Sequence, residues 1–380
     1  MLQELKVKPI INARGPFTVL GGSRLDDEVM SAIDEVRGHF FDMDELNRNA
    51  GELLAKMIGV EAAFITSGAE AGLILSVAAC MTRGIQERMN RLPDTEGMPN
   101  EVIVQRLHRN LYDYGLQITG AKVKEVGNDI ETTARDMSDA FGTGTAAVLY
   151  FAFDPQTGVL PLSKVVDLAH SRNVPVIVDA AGELPPPENL SAFTAAGADL
   201  TVFSGGKDIG APNDTGIVLG SKELISICRQ LGPHSYETID SRLRVYLGRP
   251  MKTSKEDVVA TVAAVKRYLK TDQAARMRGW ERMATYIRDE VSRRFPGLEI
   301  KIVRDSRPRP PMVPKVQLNL KGSGVSFDEI QQDLMKRDPN VFLYSLGDNL
   351  IINPHCLVEG EQKIVAERLI EILWRRLGQR

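Results

Sequence analysis

The sequence predicts an α/β fold: a three-layer sandwich around a seven-stranded, mostly parallel sheet, with a smaller α+β domain at the C-terminal end. Three observations predict it. Short apolar runs recur between residues 62 and 220, helical patterns lie between them, and the texture changes after about Leu247.

From Asp44 to Gly59, apolar Leu46, Ala50, Leu53, Leu54 and Met57 recur at helical spacing, with Asp44 as N-cap and Gly59 as the stop. That stretch is an amphipathic helix. The runs AAFIT (62–66), VIVQ (102–105), KVKEV (122–126), AVLYF (147–151), PVIVD (175–179), LTVF (200–203) and GIVLG (216–220) read as strands. They are continuous rather than alternating, as strands covered on both faces should be, and Leu73–Cys80 and Lys164–Ser171 read as covering helices. Past Leu247, residues 254–295 form a long helical stretch, 299–303, 315–320, 341–344 and 349–352 read as strands, and 326–336 and 359–377 as helices. The segment RDSRPRPPMVP (304–314) is a loop, because its prolines lack backbone donors. The expected organisation is an N-terminal segment, 1–40, packing with the small domain, a large ligand-binding domain, 41–250, and a small domain, 251–380.

Composition narrows the function classes. With 47 basic and 50 acidic residues the net charge is −3, so no global basic field exists to hold a nucleic acid, and none is expected as a partner. Cys80, Cys228 and Cys356 are odd in number, widely separated and lack CxxC spacing. Neither a disulfide framework nor a zinc site is expected, and a reducing cytoplasm fits. The N-terminus has no continuous apolar core and no run of eighteen apolar residues occurs, so no signal peptide or membrane span is expected.

The chemistry centres on VFSGGKDIGAPNDTGIVLG (202–220), where a strand ends in Ser-Gly-Gly-Lys and another begins after a glycine-rich turn. Lys207 therefore sits at the carboxyl edge of the sheet, where open α/β sheets bind ligands. A P-loop is excluded, since the glycine five positions before Gly206 is absent and Asp208 replaces Ser or Thr. Asp179 closes a wholly apolar strand, where a carboxylate calls for a cation such as a protonated pyridine nitrogen. Ala180 and Ala181 are small, as a flat ring on that strand end requires. In FITSGAEAG (64–72) a strand turns through Ser67 and Gly68 into a helix, whose first N–H groups suit a phosphate. His108, in VIVQRLHRNLYDYG, follows a strand and is placed to stack on the ring.

In this order, phosphate turn, His, strand-end Asp and Lys resemble the fold-type I pyridoxal-phosphate (PLP) enzymes, particularly the class V aminotransferase and cysteine desulfurase branch. More narrowly, INARGPFTVLGGS, QRLHRNLYDYG and the IGAP turn resemble the branch of selenocysteine synthase and D-glucosaminate-6-phosphate ammonia-lyase. The resemblance implies the PLP-dependent transferase-like fold, with Lys207 as Schiff-base lysine and proton shuttle, Asp179 as pyridine partner and His108 as stacking ring. It also implies a phosphate held by Ser67, Gly68, Ala69 and Ser204. The chain departs from the pattern at Glu70, where Thr is frequent, and at Gly206, where His is frequent. It also departs at DNLIINPHCL, which lacks the Arg that takes a substrate carboxylate. Arg14, Arg304, Arg307 and Arg309 are candidate replacements.

The reaction expected first is a lyase acting on a small amino acid or amino sugar acid, by Cα-proton abstraction, β-elimination and release of ammonia. An aminotransferase or racemase stands next. Selenium transfer to seryl-tRNA ranks lower, because INARG begins at residue 11 and leaves little room for a tRNA-binding domain. A non-catalytic PLP-binding module is the remaining alternative. The resemblance also implies a homodimer or higher even-numbered assembly, in which Arg249 or Lys252 of RPMKTSK (249–255) contacts the cofactor phosphate or an anionic substrate of the partner subunit.

Overall fold

The computed structural model describes residues 1–152, 157–239, 242–304 and 310–377. Strand β1 (Ile10–Asn12) is followed by helices α1 (Asp27–Val36) and α2 (Met43–Ile58), then by β2 (Ala62–Thr66), α3 (Ala69–Thr82) and α4 (Gln86–Arg91). Next come β3 (Glu101–Gln105), α5 (Asp113–Leu116), β4 (Lys122–Val126), α6 (Ala134–Ala140), β5 (Thr145–Phe151), α7 (Leu162–His170) and β6 (Val176–Asp179). Helix α8 (Asn189–Ala195) leads to β7 (Leu200–Ser204), β8 (Gly216–Gly220), α9 (Lys222–Leu231) and the antiparallel pair β9 (Tyr236–Ile239) and β10 (Arg242–Val245). The chain closes through α10 (Lys255–Lys270), α11 (Gln273–Arg294), β11 (Ile300–Val303), β12 (Lys315–Asn319), α12 (Phe327–Met335), β13 (Asn340–Phe342), β14 (Tyr344–Leu346), β15 (Asn349–Ile352) and α13 (Glu361–Leu377).

The seven apolar runs form one sheet of order β2-β8-β7-β6-β5-β3-β4, in which β8 alone runs antiparallel to its neighbours. Their lack of alternation has a direct cause. Ile103, Val148, Val178 and Ile217 enter the core on one face, while Val102, Leu149, Ile177 and Val218 enter the core on the other. Helix α3 is buried from Ala71 to Thr82, and its Leu73, Leu75, Val77, Ala78, Ala79, Cys80 and Met81 lie in the second core. Its Gly72 lies close on the sheet, since a Cβ there would come within 2.9 Å of Val202 and 3.0 Å of Val218.

Some boundaries differ from the expected ones. Asp42, not Asp44, caps α2, its carboxylate accepting from Asp44 N at 3.0 Å and Glu45 N at 3.1 Å. The long stretch 254–295 is two helices, because Asp272 caps α11 through Ala275 N at 2.9 Å. The expected strand 341–344 divides at Leu343: β13 pairs with β1, whereas β14 pairs with β15.

Two compact units result, one of residues 25–270 and one of residues 1–24 with 271–380. The expected boundaries lay at 40/41 and 250/251. Helix α10 packs on α1 and α2, and its Val258, Ala264 and Val265 share a core with Val29 and Leu54, so both flanks belong to the sheet unit. In the other unit, β1 joins a core containing Ile11, Ile287, Leu318 and Leu369. No described helix is long and apolar enough to cross a membrane.

Candidate active site

Strand direction decides which ends meet. Because β8 is antiparallel, its amino end lies with the carboxyl ends of β2, β7, β6, β5 and β3. The register runs Thr66 to Gly216 to Ser204, and Val202 to Asp179 to Phe151. Ser67, Gly68, Ala69, Asp179, Ala181, Ser204 and Lys207 thus occupy one edge of one sheet.

At β2 the turn is fixed by Thr66, whose Oγ1 donates to Gly68 O at 2.9 Å and whose O accepts from Gly68 N at 3.0 Å. Gly68, at φ +88°, then opens α3. The Gly68 N–H is spent on Thr66, so the N–H groups at the start of α3, from Ala69 onward, are the ones aimed out of the helix. Glu70 is exposed and packs against Gly115 of α5, where an added Cβ would lie 3.1 Å from its Cγ. Gly216 lies under this turn, since a Cβ there would come within 2.7 Å of Ala69 N.

Lys207 stands in the turn Gly205–Ile209 with φ −99° and ψ −124°, outside helical geometry. Gly205 N donates to Thr215 O at 2.8 Å and Ala211 N donates to Gly205 O at 2.9 Å, so the turn is laced to the strand that follows. The Asn213 backbone crosses Gly206 so closely that a Cβ would lie 2.5 Å from its Cα. That approach excludes a histidine at this position. Lys207 and Asp179 are each half-buried. Asp179 Oδ1 accepts from Ala181 N at 2.9 Å, and Asp179 O accepts from Ala152 N at 2.9 Å, which orients the carboxylate.

His108 is only 2% exposed, in the turn after β3. Its ring stands edge-on to Tyr150, with centroids 4.7 Å apart, and Nδ1 accepts from Phe151 N at 3.5 Å. Burial lowers its pKa to about 4, so the imidazole is neutral at pH 7. The loop beyond it is pinned by ion pairs of Arg106 with Glu125 and Asp129, and of Arg109 with Asp113 and Glu125.

Arg249 and Lys252 are exposed and flank His234, whose pKa is lowered by burial and then by Arg249. His234 Nε2 lies 3.1 Å from Thr253 Oγ1. Arg14 belongs to the second unit, beside Phe17 and Tyr344. Arg304 is committed to an ion pair with Glu281, while Arg307 and Arg309 lie outside the described residues.

Sequence reasoning missed Gln105. Its buried amide donates to Leu160 O at 3.1 Å and accepts from Leu160 N at 2.7 Å, tying the loop after β5 to the end of β3. A lone polar residue closing an apolar strand was the available signal.

The edge suits PLP in each of its parts. A helix start supplies N–H groups for a phosphate, a half-buried carboxylate stands for a ring nitrogen, and a primary amine stands in the turn after the neighbouring strand. The class-V aminotransferase family model matches residues 41–310. D-glucosaminate-6-phosphate ammonia lyase of Salmonella typhimurium is 31% identical over 97% of both chains. A solved structure of a D-glucosaminate-6-phosphate ammonia-lyase superposes with TM-score 0.81 and 29% identity, covering 99% of this chain and 98% of its own. A 5'-C-glycyluridine monooxygenase-decarboxylase of a Streptomyces species is 30% identical over 98% of this chain and 91% of its own. The chain belongs to the class-V aminotransferase family, and its cofactor is pyridoxal 5'-phosphate.

Proposed function

We propose that this enzyme is an ammonia-lyase, removing a β-substituent and then ammonia from a small amino acid or amino sugar acid. The observation that carries the reading is the single sheet edge holding Lys207, Asp179 and the start of α3, in a chain similar over its whole length to a D-glucosaminate-6-phosphate ammonia lyase. PLP, when bound, supplies an electron-withdrawing ring that makes a substrate Cα–H acidic.

The residues divide the remaining work. Ser67, Ser204 and the first N–H groups of α3 hold the phosphate, and the Gly68 turn brings the backbone close to it. Asp179 keeps the proton on the ring nitrogen. Lys207 Nζ tethers the cofactor and carries the Cα proton away and back. His108, neutral and buried, shapes the wall beside the ring without adding charge. Arg249 or Lys252 takes the phosphate or an anionic substrate of the neighbouring subunit, making the enzyme a homodimer or a higher even-numbered assembly in the cytoplasm. Selenium transfer is not favoured, since two relatives at 30% identity or better act, by their names, on other substrates.

The Streptomyces relative supports a second reading, oxidative decarboxylation. Oxygen separates the two. A lyase releases ammonia and a keto acid equally well under argon, whereas a monooxygenase-decarboxylase stops without oxygen and evolves carbon dioxide. Borohydride reduction followed by peptide mapping is expected to fix the cofactor on Lys207, and an adduct on a different lysine would remove that residue from the centre. Asp179→Asn should fold normally and bind PLP yet lose turnover by roughly 100-fold or more, the order expected for an electrostatic partner in a preorganised site. Unchanged turnover in that variant contradicts the assignment.

A further inference from the structure

The side-chain amide of Gln105 stands where a backbone peptide would. Its main chain pairs with Val126 of β4, while its side chain bonds the segment that follows β5. Gln105 is 1% exposed, and a buried amide is costly unless both of its halves are bonded. Leu160 meets both, since its O accepts from Nε2 at 3.1 Å and its N donates to Oε1 at 2.7 Å. The partners permit one orientation of the amide, because an N–H cannot accept and a carbonyl cannot donate. A leucine of similar size would leave both Leu160 groups without these bonds.

From Leu160 a circuit of contacts returns to Gln105. Two residues on, at the start of α7, the Leu162 backbone amide is hydrogen-bonded to the Tyr150 hydroxyl. The Tyr150 ring stands edge-on to His108, with centroids 4.7 Å apart and planes at 86°. His108 closes the short turn Arg106–His108, which Gln105 opens, and Arg109 N donates to Arg106 O at 3.1 Å across it. The direct bond from Phe151 N to His108 Nδ1 is 3.5 Å long, too long to fix the ring by itself. The angle of the imidazole therefore depends on the Tyr150 edge and on the turn, and the Leu160 bonds tie these two together. All of these residues belong to the unit of residues 25–270.

We propose that Gln105 is a positioning residue for the cofactor edge, setting the angle of the His108 ring through Leu160 and thereby the seating of PLP, a role that rests on His108 being the wall beside the cofactor. A neutral amide suits the task. It is bonded in the same way at every pH, whereas a carboxyl group at 105 would hold both Leu160 groups only when protonated.

Two readouts test this. Visible circular dichroism of the bound PLP reports its chiral surroundings, and amide exchange at Leu160 in the PLP-free protein reports the two bonds. Gln105→Leu is expected to speed that exchange about tenfold, as for the loss of roughly one net hydrogen bond, and to lower the dichroism of the fully loaded protein. Gln105→Glu decides the matter even if Gln105→Leu does not fold. Its carboxyl, raised in pKa by burial, takes a proton as pH falls from about 8 to about 5, and the neutral acid again donates to Leu160 O and accepts from Leu160 N. Relative to the parent protein at the same pH, its dichroism is expected to be low at the upper end and restored at the lower. Dichroism unchanged in both variants, or low in Gln105→Glu throughout, overturns the proposal, as does parent-like exchange at Leu160. A signal changed in His108→Gln but not in the Gln105 variants removes the positioning role alone. One unchanged in His108→Gln removes the wall and the proposal with it. None of these measurements needs turnover, so their failure is distinguishable from failure of the ammonia-lyase reading.

Discussion

A histidine that is 2% exposed cannot take a proton without losing hydration, and burial is what holds down the pKa of His108. Its pKa falls from the ordinary 6.5 to about 4. Between those values the unfolded chain binds a proton that the folded chain refuses, so stability is complete above pH 6.5 and is lost as pH falls towards 4. The loss attributable to this one group amounts to about 3 kcal/mol. Chemical denaturation of His108→Gln across pH 4–7 should show a correspondingly shallower decline than the parent protein, and an identical slope would assign the acid sensitivity to other groups. At this scale the sequence singled out Lys207 and Asp179, because Asp179 ends an apolar strand and Lys207 follows one in a glycine-rich turn. It did not reveal that Gly68 spends its N–H on Thr66, or that the Gln105 amide bonds Leu160, since both depend on hydrogen-bond geometry beyond a strand end.

Among elements, the seven strands were legible because burial on both faces imposes unbroken apolar runs. Their order was not. Nothing in GIVLG tells that β8 runs antiparallel between β2 and β7, yet that reversal brings Gly216 beneath the Gly68 turn. A methyl group at 216 would meet backbone at Gly68 and Ala69, atoms that cannot swing aside as a side chain can. Gly216→Ala is therefore expected to displace the start of α3 and weaken PLP about tenfold or more, in line with roughly 1–3 kcal/mol for overpacking at a tight contact. Gly142→Ala serves as control, since a Cβ at Gly142 meets nothing within 4 Å. Equal PLP affinity in the two variants, measured by fluorescence titration, would detach the phosphate from this turn. The missed division at Leu343 has a similar origin, because one apolar run serves two partner strands and hydropathy does not record partners.

For the whole molecule, the expected domain boundary and the division into compact units differ at α10, whose apolar stripe has the same pattern whichever unit it covers. Packing on α1 and α2 assigns it to the unit of residues 25–270, which also carries every residue of the proposed cofactor edge. The other unit has a separate core, around Ile287, Leu318 and Leu369. A ligand stabilises only what unfolds with its site, by about 2.7 kcal/mol at a free concentration one hundred times its dissociation constant. Removing PLP should therefore speed amide exchange by roughly 100-fold in β6 and β7, at Ile177 and Val202, where opening releases the site. Exchange at Ile287 in α11 and Leu369 in α13 should change far less. Equal acceleration in both sets, followed by mass spectrometry of the PLP-loaded and PLP-depleted protein, would show that the cofactor binds the chain into one cooperative body, and the division of stability argued from the two cores would be wrong.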